Sequence, residues 1–249
     1  MCERCIRKAV VHTRPASRSR RTALGMMAGL PLLGLPALSS PAFAAEPPKP
    51  GNVLSPEQAL ERLMRGNERY TSGKTLDRDF ASTRATLTAG QNPFACILSC
   101  ADSRVSPELC FDEERGDLFV TRVAGNYLTN DLLASLEYGV AVLNAPLIMV
   151  LGHTSCGAIS ATVNAFQKPT ELPGHIQTIV TALMPPVRAA AAGHASGDLV
   201  AAATLENIRH NVRQLQQATP ILSQLSDAGK IKVVGGLYKL DTGQVEIVA

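Results

Sequence analysis

The sequence has 249 residues, of which 45% are hydrophobic and 18% charged, so it is long enough for one domain of ordinary size or two small ones. Its formal net charge of +3 comes from the first 44 residues, which carry seven Lys and Arg residues against one acidic residue. The remaining chain has 17 basic and 20 acidic residues, which excludes the strongly basic surface of a nucleic-acid-binding protein. We therefore expect no nucleic-acid partner.

The first 44 residues have the three parts of a secretory signal peptide. A basic segment comes first, an apolar run follows at Ala23–Leu38, and small residues then predict cleavage after Ala44. Arg20 and Arg21 precede the apolar run and resemble a twin-arginine (Tat) export signal, although alanine stands where an aromatic residue is usual. We predict export to the periplasm by the Tat pathway, with an ordinary Sec signal as the alternative, and no stable insertion in a membrane.

Four cysteines remain after the first 44 residues, and they allow two interpretations. In an oxidising periplasm they could form two disulfides. Tat export moves folded proteins, so a metal loaded in the cytoplasm would instead keep Cys100 and Cys156 as ligands. Cys96 and Cys110 are expected to be small core residues, which is the usual role of a buried cysteine.

The predicted elements alternate between strands and helices after a Pro-rich, flexible lead-in at residues 45–54. Ser55 and Gln58 have the spacing of a capping box, which predicts that the first helix begins there. Helices are predicted at Glu57–Asn67, Thr83–Ala89, Asn130–Leu143, Gly157–Phe166, 175–192 (broken at Pro185 and Pro186) and Asp198–Ala218. Strands are predicted at Ala95–Leu98, Asp117–Val123, Leu147–Leu151, Lys232–Tyr238 and Val245–Val248. This pattern predicts the α/β class: a mostly parallel β-sheet covered by helices on both faces, with an antiparallel edge strand.

Residues that carry chemistry follow two of the apolar strands. Cys100, Asp102 and Arg104 come directly after the first strand, whereas His153 and Cys156 come after the third. Strand ends are where open α/β sheets place their sites. Two thiols and an imidazole suit zinc, and three protein ligands with a fourth position open are typical of a catalytic zinc site. Three other histidines are expected at the surface rather than as ligands: His175, His194 and His210.

The two motifs together resemble those of the β-class carbonic anhydrases. Residues 100–104, Cys-Ala-Asp-Ser-Arg, are similar to the family's C-x-D-x-R motif, and residues 153–156, His-Thr-Ser-Cys, to its H-x-x-C motif. The resemblance covers nearly all of residues 55–249, including Asp117–Asn126 and the hairpin at Tyr238–Gly243. It implies a single domain over residues 55–249 that catalyses the reversible hydration of CO2 to bicarbonate and a proton.

The resemblance also implies the roles of the motif residues. One zinc ion per chain would be held by Cys100, His153 and Cys156, with water at the fourth position in the active state and zinc-bound hydroxide as the nucleophile. Asp102 would pair with Arg104 and accept the hydroxyl proton. Released from Arg104, the same carboxylate would become the fourth ligand of a closed state.

Two further residues are implied as substrate-binding. Gln91, nine residues before Cys100, matches a glutamine that some family members use to hydrogen-bond substrate, and Gly157 directly follows the H-x-x-C motif. The family's active site lies at a dimer interface, so the resemblance implies a homodimer or a higher even oligomer.

Three other functions are compatible with the sequence. A carbonyl sulfide or carbon disulfide hydrolase would use the same ligands on the same scaffold. A zinc-binding protein without turnover would not need the pair Asp102 and Arg104. A disulfide-stabilised exported binding protein would use the cysteines as bridges.

Overall fold

The computed structural model describes residues 49–193 and 198–249. Its strands form one sheet in the order β2-β1-β3-β4-β5, in which only the β4–β5 pair is antiparallel. The strands are β1 (Ala95–Ser99), β2 (Leu118–Arg122), β3 (Leu147–His153), β4 (Lys232–Tyr238) and β5 (Val245–Ile247). All five predicted strands are therefore present, and β3 extends two residues further than predicted.

Eight α-helices cover the sheet within the described residues, and a short 3-10 turn at Pro50–Asn52 precedes them. The helices are α1 (Pro56–Thr71), α2 (Thr83–Leu87), α3 (Pro107–Cys110), α4 (Asn130–Ala141), α5 (Gly157–Gln167), α6 (Ile176–Gly193), α7 (Leu199–Gln217) and α8 (Ile221–Asp227). The predicted capping box is formed: the Gln58 N–H donates to Ser55 Oγ, and the Ser55 N–H donates to Gln58 Oε1. None of these helices is long and apolar enough to cross a lipid bilayer.

Alternate residues of the parallel strands face two different hydrophobic cores. Ile97 and Met149 belong to the core that α1 and α3 cover, whereas Leu98 and Val150 belong to the core that α4, α7 and α8 cover. A third core joins α5, α6 and α7 next to the ends of β1 and β3. The predicted fold class is confirmed, because the sheet is mostly parallel, has helices on both faces and ends in an antiparallel edge strand.

Helix α1 is longer than predicted because Gly66 and Asn67 lie inside it rather than ending it. A Cβ at Gly66 would lie 1.8 Å from the Phe111 carbonyl oxygen, so this glycine allows the helix and that backbone to approach closely. The Asn67 side chain is buried and bonds backbone groups of Cys110, Gly243 and the start of β5. Tertiary contacts therefore explain two residues that the sequence suggested were helix breakers.

Helix α6 also differs from the prediction, since it runs through Pro185 and Pro186 without a break. Each proline removes a helical N–H group and clashes with the preceding turn. Together these effects destabilise a helix by about 3 kcal/mol for each interior proline. One stripe of α6 is buried against α5 and α7, and this packing outweighs that penalty. The buried residues of the stripe are Val180, Leu183, Pro186, Val187 and Ala190.

Two short segments were not anticipated. Helix α8 was not predicted; it has only seven residues, and Leu222 buries it against the core below α4 and α7. The second half of the predicted flexible lead-in contacts the core: Asn52 is 5% exposed and donates to Asp117 Oδ1 at 2.8 Å. Lys49 lies 2.9 Å from the same carboxylate. The predicted signal peptide and His194 lie outside the described residues.

Candidate metal centre and active site

Three candidate ligands converge at the carboxyl edge of the sheet. β1 and β3 are adjacent and parallel, with Ser99 paired to Leu151, so their C-terminal ends lie side by side. Cys100 directly follows β1, His153 ends β3, and Cys156 is the N-cap residue of α5. Their ligand atoms all lie within 4.8 Å of one another, and no other group in the described part of the chain is placed to hold a metal in this way.

His153 presents one ring nitrogen to this cluster. Its side chain is fully buried, and Nδ1 lies 2.9 Å from the Thr154 carbonyl oxygen, so Nδ1 carries the proton and donates it. Nε2 is buried and has no hydrogen-bond partner among the described residues. Burial lowers the pKa of His153, but the Cys100 sulfur and the Thr154 carbonyl raise it by more. These surroundings favour positive charge beside Nε2, and a metal cation fits that place.

Cys100 and Cys156 are 3% and 1% exposed. The interaction between the two neighbouring sulfurs lowers the pKa of Cys100 and raises the pKa of Cys156, so Cys100 loses its proton before Cys156 does. The Gly125 N–H also donates to Cys100 Sγ at 3.2 Å. A bound metal would release the remaining proton, because cysteine ligates as the thiolate. All four cysteines of the described residues are free thiols rather than disulfides.

Asp102 and Arg104 form a two-pronged ion pair beside the three ligands. Arg104 Nε donates to Asp102 Oδ1 at 2.9 Å and Nη2 donates to Oδ2 at 2.7 Å, while the Arg104 backbone N–H donates to Oδ1 at 3.0 Å. Asp102 Oδ2 lies 3.8 Å from His153 Nε2. Hydrogen bonding from Arg104 holds the pKa of the Asp102 carboxyl well below its usual range, so the carboxylate is ionised at neutral pH.

Ser155 supports the same arginine from the other motif. Its carbonyl oxygen accepts a hydrogen bond from Arg104 Nη2 at 3.3 Å. Ser155 has a φ of +55°, a conformation that is uncommon outside glycine. The loop between β3 and α5 therefore bends so that it delivers one ligand and also contacts the arginine of the first motif.

Arg122 is a functional residue that the sequence analysis missed. It ends β2 and donates to the carbonyl oxygens of Cys100 at 2.9 Å, Asp102 at 2.8 Å and Val105 at 2.8 Å. These three hydrogen bonds hold the loop that carries the first motif. The signal available in the sequence was its position, since β2 ends in a charged residue beside the C-terminal end of β1.

Neither predicted substrate-binding residue contacts the three ligands directly. Gln91 is exposed and precedes β1, so the length of that strand separates it from Cys100 in the same chain. Gly157 is the first residue of α5, directly after Cys156, and a Cβ built on it would meet nothing within 4 Å. Gly157 therefore lies in open space beside the cluster, whereas Gln91 lies at the opposite end of the sheet.

The other cysteines and histidines of the described residues are not part of the candidate metal group. Cys96 and Cys110 are buried core residues, as predicted. His175 is exposed and His210 is half-buried on α7. Burial of the His210 ring lowers its pKa.

Comparison with known proteins identifies the family. A family model described as carbonic anhydrase matches residues 95–245. The chain is 38% identical over 195 residues to a carbonic anhydrase of Mycolicibacterium smegmatis, a match that covers 78% of this chain and 93% of that one. It is also 38% identical over 192 residues to carbonic anhydrase 2 of Mycobacterium tuberculosis, covering 76% of this chain and 91% of that one.

A solved structure extends the agreement to three dimensions. The β-carbonic anhydrase CcaA has a TM-score of 0.59 and 28% sequence identity, over 76% of this chain and 98% of that chain. The fold and site define an α/β protein with three soft candidate metal ligands beside a carboxylate–guanidinium pair. The chain belongs to the β-class carbonic anhydrases, the lyases that catalyse CO2 hydration.

The Arg122 contacts lead to a test of the loop. Arg122→Ala removes three hydrogen bonds from the loop that carries Cys100 and Asp102, so we expect kcat/KM for CO2 hydration to fall roughly 10- to 100-fold. The control is Arg65→Ala, since Arg65 is exposed and, among the described residues, forms its ion pair with Glu61 one helical turn away. Equal activity of Arg122→Ala and Arg65→Ala would show that these hydrogen bonds do not position the site.

Proposed function

We propose that this chain is a zinc-dependent carbonic anhydrase that interconverts CO2 and bicarbonate, with one zinc ion per chain. The observation that carries the proposal is the convergence of Cys100, His153 and Cys156 around a buried Nε2 atom that has no partner within the described chain. Two thiols and an imidazole form a donor set that zinc prefers, and three such ligands leave a fourth position open. When bound, zinc supplies the Lewis acidity that makes water a nucleophile at neutral pH.

Asp102 is proposed as the catalytic carboxylate. Its Oδ2 lies 3.8 Å from His153 Nε2, on the side of the cluster that no other ligand occupies among the described residues. Its low pKa, caused chiefly by Arg104, keeps it able to accept a hydrogen bond throughout the neutral range. We propose that Asp102 accepts a hydrogen bond from the hydroxyl group of the nucleophile and so directs its lone pair at CO2.

Arg104 is proposed to restrain that carboxylate. Its guanidinium binds both oxygens of Asp102, and this two-pronged geometry fixes the plane of the carboxylate as well as its position. Without the restraint, a carboxylate two residues beyond Cys100 is free to occupy the open ligand position. The pair thus selects the open state over the closed one.

We also propose a homodimer or a higher even oligomer. Several large apolar side chains are strongly exposed in the single chain, including Val53, Leu76, Phe80 and Leu109. These side chains are available to pack against a second subunit. Gln91 supports the same conclusion, because any contact between its side chain and substrate requires a second subunit that brings it to the carboxyl edge of the sheet. Gly157 needs no partner, since it already borders the ligands.

The cellular location follows from the N-terminal sequence alone and is a proposal of its own. Residues 1–44 have the charge pattern and cleavage site of an export signal, and Arg20 with Arg21 favours the Tat pathway. We expect the mature periplasmic protein to begin at Ala45.

Replacing both arginines by lysine is expected to block export, which cell fractionation measures. Normal export of that variant would leave Sec as the route.

The metal assignment is tested by paired cysteine substitutions. Cys100→Ser is expected to lose most bound zinc, because the hydroxyl is a much poorer ligand than a thiolate, and CO2 hydration is expected to fall with it. Cys110→Ser, also a buried cysteine but in the core below α1 and α3, is expected to keep one zinc per chain. The measurement is metal content of the purified protein. Full zinc occupancy in Cys100→Ser would overturn the ligand set.

The roles of the ion pair are tested by three variants with metal content measured alongside stopped-flow CO2 hydration. Arg104→Ala is expected to keep zinc yet lose most activity at pH 7, since the freed carboxylate can take the open position. Arg104→Lys is expected to restore little, because an ammonium cannot copy the two-pronged geometry. Asp102→Ala is expected to keep zinc and lose activity through loss of the hydrogen-bond acceptor.

The outcomes separate the possible functions. Parent-like turnover in all three variants with zinc in place would make the pair structural and the mechanism wrong. Hydrolysis of carbonyl sulfide or carbon disulfide by the parent, without CO2 hydration, would favour the alternative substrate class on the same scaffold.

A further inference from the structure

A buried pair of asparagines on α7 lies behind the loop that contacts Cys100. Asn207 and Asn211 are one helical turn apart and each is 1% exposed. Their side chains face the loop at residues 125–128, which follows β2 and passes beside the ligand cluster. Buried amides are expected to be fully hydrogen-bonded, so their partners show what they hold in place.

The hydrogen bonds run in one continuous series from α7 to the sulfur of Cys100. Asn207 Nδ2 donates to the Gly125 carbonyl oxygen at 2.9 Å, and the Gly125 N–H donates to Cys100 Sγ at 3.2 Å. Asn211 Nδ2 donates to Asn207 Oδ1 at 3.0 Å, and Asn211 Oδ1 accepts from the Leu128 N–H at 2.7 Å. Both ends of the loop are thus bonded to the same helix.

The chemistry of the series fixes the orientation of each amide. The Leu128 N–H can only donate, so Asn211 must turn its oxygen towards it and its nitrogen towards Asn207. The Gly125 carbonyl can only accept, so Asn207 turns its nitrogen towards it and its oxygen towards Asn211, whose Nδ2 also donates to the Asn207 backbone carbonyl at 2.8 Å. Only one arrangement satisfies all the groups, so the carbonyl of Gly125 is held by a donor of defined position.

The Gly125 peptide has little freedom to turn elsewhere. Gly125 has a φ of +89°, and a Cβ at this position would lie 2.7 Å from Leu183 and 3.2 Å from the Cβ of Ala158. Because α5 and α6 pack this closely, the residue must be glycine. Asn207 holds the carbonyl group of Gly125, and the N–H group of Gly125 points at the Cys100 sulfur.

We propose that Asn207 is a positioning residue for the metal centre, which acts through Gly125 to direct an N–H group at the Cys100 thiolate; the inference rests on the proposed zinc function. A hydrogen bond to a ligating thiolate withdraws electron density from the sulfur and fixes its direction. Partners that orient metal ligands typically change metal affinity or activity by roughly 10- to 100-fold when they are removed. Loss of the Asn207 amide should therefore weaken zinc retention and change the electronic character of the Cys100–metal bond, although Asn207 itself contacts neither.

The test compares Asn207→Ala and Asn207→Asp with Asn67→Ala. Asn67 is a matched control, because it is also a buried helical asparagine that bonds loop backbone, but it lies in α1 on the other face of the sheet. Asn207→Asp keeps the shape but exchanges the donor for an oxygen and adds a buried negative charge, so Asn207→Ala, which removes the amide without adding charge, is the sharper of the two changes. Asn207→Ser, with a hydroxyl too short to reach the Gly125 carbonyl, replaces either variant that fails to fold.

Two readouts are measured on the full-length mature protein: zinc loss to a chelator, and the thiolate-to-cobalt charge-transfer band of the Co²⁺-substituted protein. We expect the Asn207 variants to lose zinc roughly tenfold faster or more, and the band to move to longer wavelength, because a thiolate without its N–H partner is a stronger electron donor. Asn67→Ala is expected to leave both readouts at parent values, even if its unfolding temperature falls.

The outcomes are distinguishable from those of the proposed function. Asn207 variants that match the parent in both readouts would overturn the inference while zinc binding by the parent leaves the proposed function standing. An equal change in Asn67→Ala would also overturn it, because the effect would then be a general loss of stability. A parent protein that binds neither zinc nor cobalt would overturn both proposals.

Discussion

The parallel pairing of β1 with β3 is the constraint on which the site depends. These strands are separated by about fifty residues of sequence that form α3, β2 and α4, yet their register places Ser99 opposite Leu151. That register brings Cys100 and His153 close together, because both residues lie at the carboxyl ends of neighbouring strands. A two-residue shift of either strand would move a ligand by about 6.6 Å and separate the cluster. The alternation of core residues on both faces of β1 and β3 opposes the smaller, one-residue shift, which would turn every side chain of the strand to the other face of the sheet.

Strand pairing alone does not give the loops their shape. Each loop at the carboxyl edge is held by side chains from a neighbouring element: Arg122 of β2 bonds the loop after β1, and Asn207 of α7 bonds the loop after β2. Arg104 in turn links the first loop to the carbonyl of Ser155 in the loop after β3. Every loop that contributes to the site is therefore tied to a rigid element or to another loop. Such support reduces the conformational freedom of the ligands before any metal is bound.

The sequence indicated the three converging residues because their signal is local. Cys100, His153 and Cys156 each follow an apolar strand, and the two motifs have fixed internal spacing. Arg122 and Asn207 have no such signal, since what they do depends on which carbonyls the folded chain brings to them. The same reason explains the misjudged breakers: Gly66 and Pro186 lie within helices because of neighbours that are distant in sequence. Helix α8 was missed because seven residues are too few to show a helical pattern, and the helix is stabilised by packing on the core through Leu222.

The electrostatic character of the site explains why so many donors surround it. In the proposed zinc state, two thiolates cancel the charge of the ion. The centre would therefore stabilise hydroxide less well than a site made of neutral ligands. Each donor near the cluster acts against this effect. The Gly125 N–H draws density from Cys100, and Cys156 is the N-cap residue of α5, where the positive end of the helix dipole lies. Arg104 binds Asp102 through both oxygens and so prevents the carboxylate from adding a third negative ligand. In the proposed zinc state, backbone donors and one arginine would thus keep a thiolate-rich centre acidic enough to activate water.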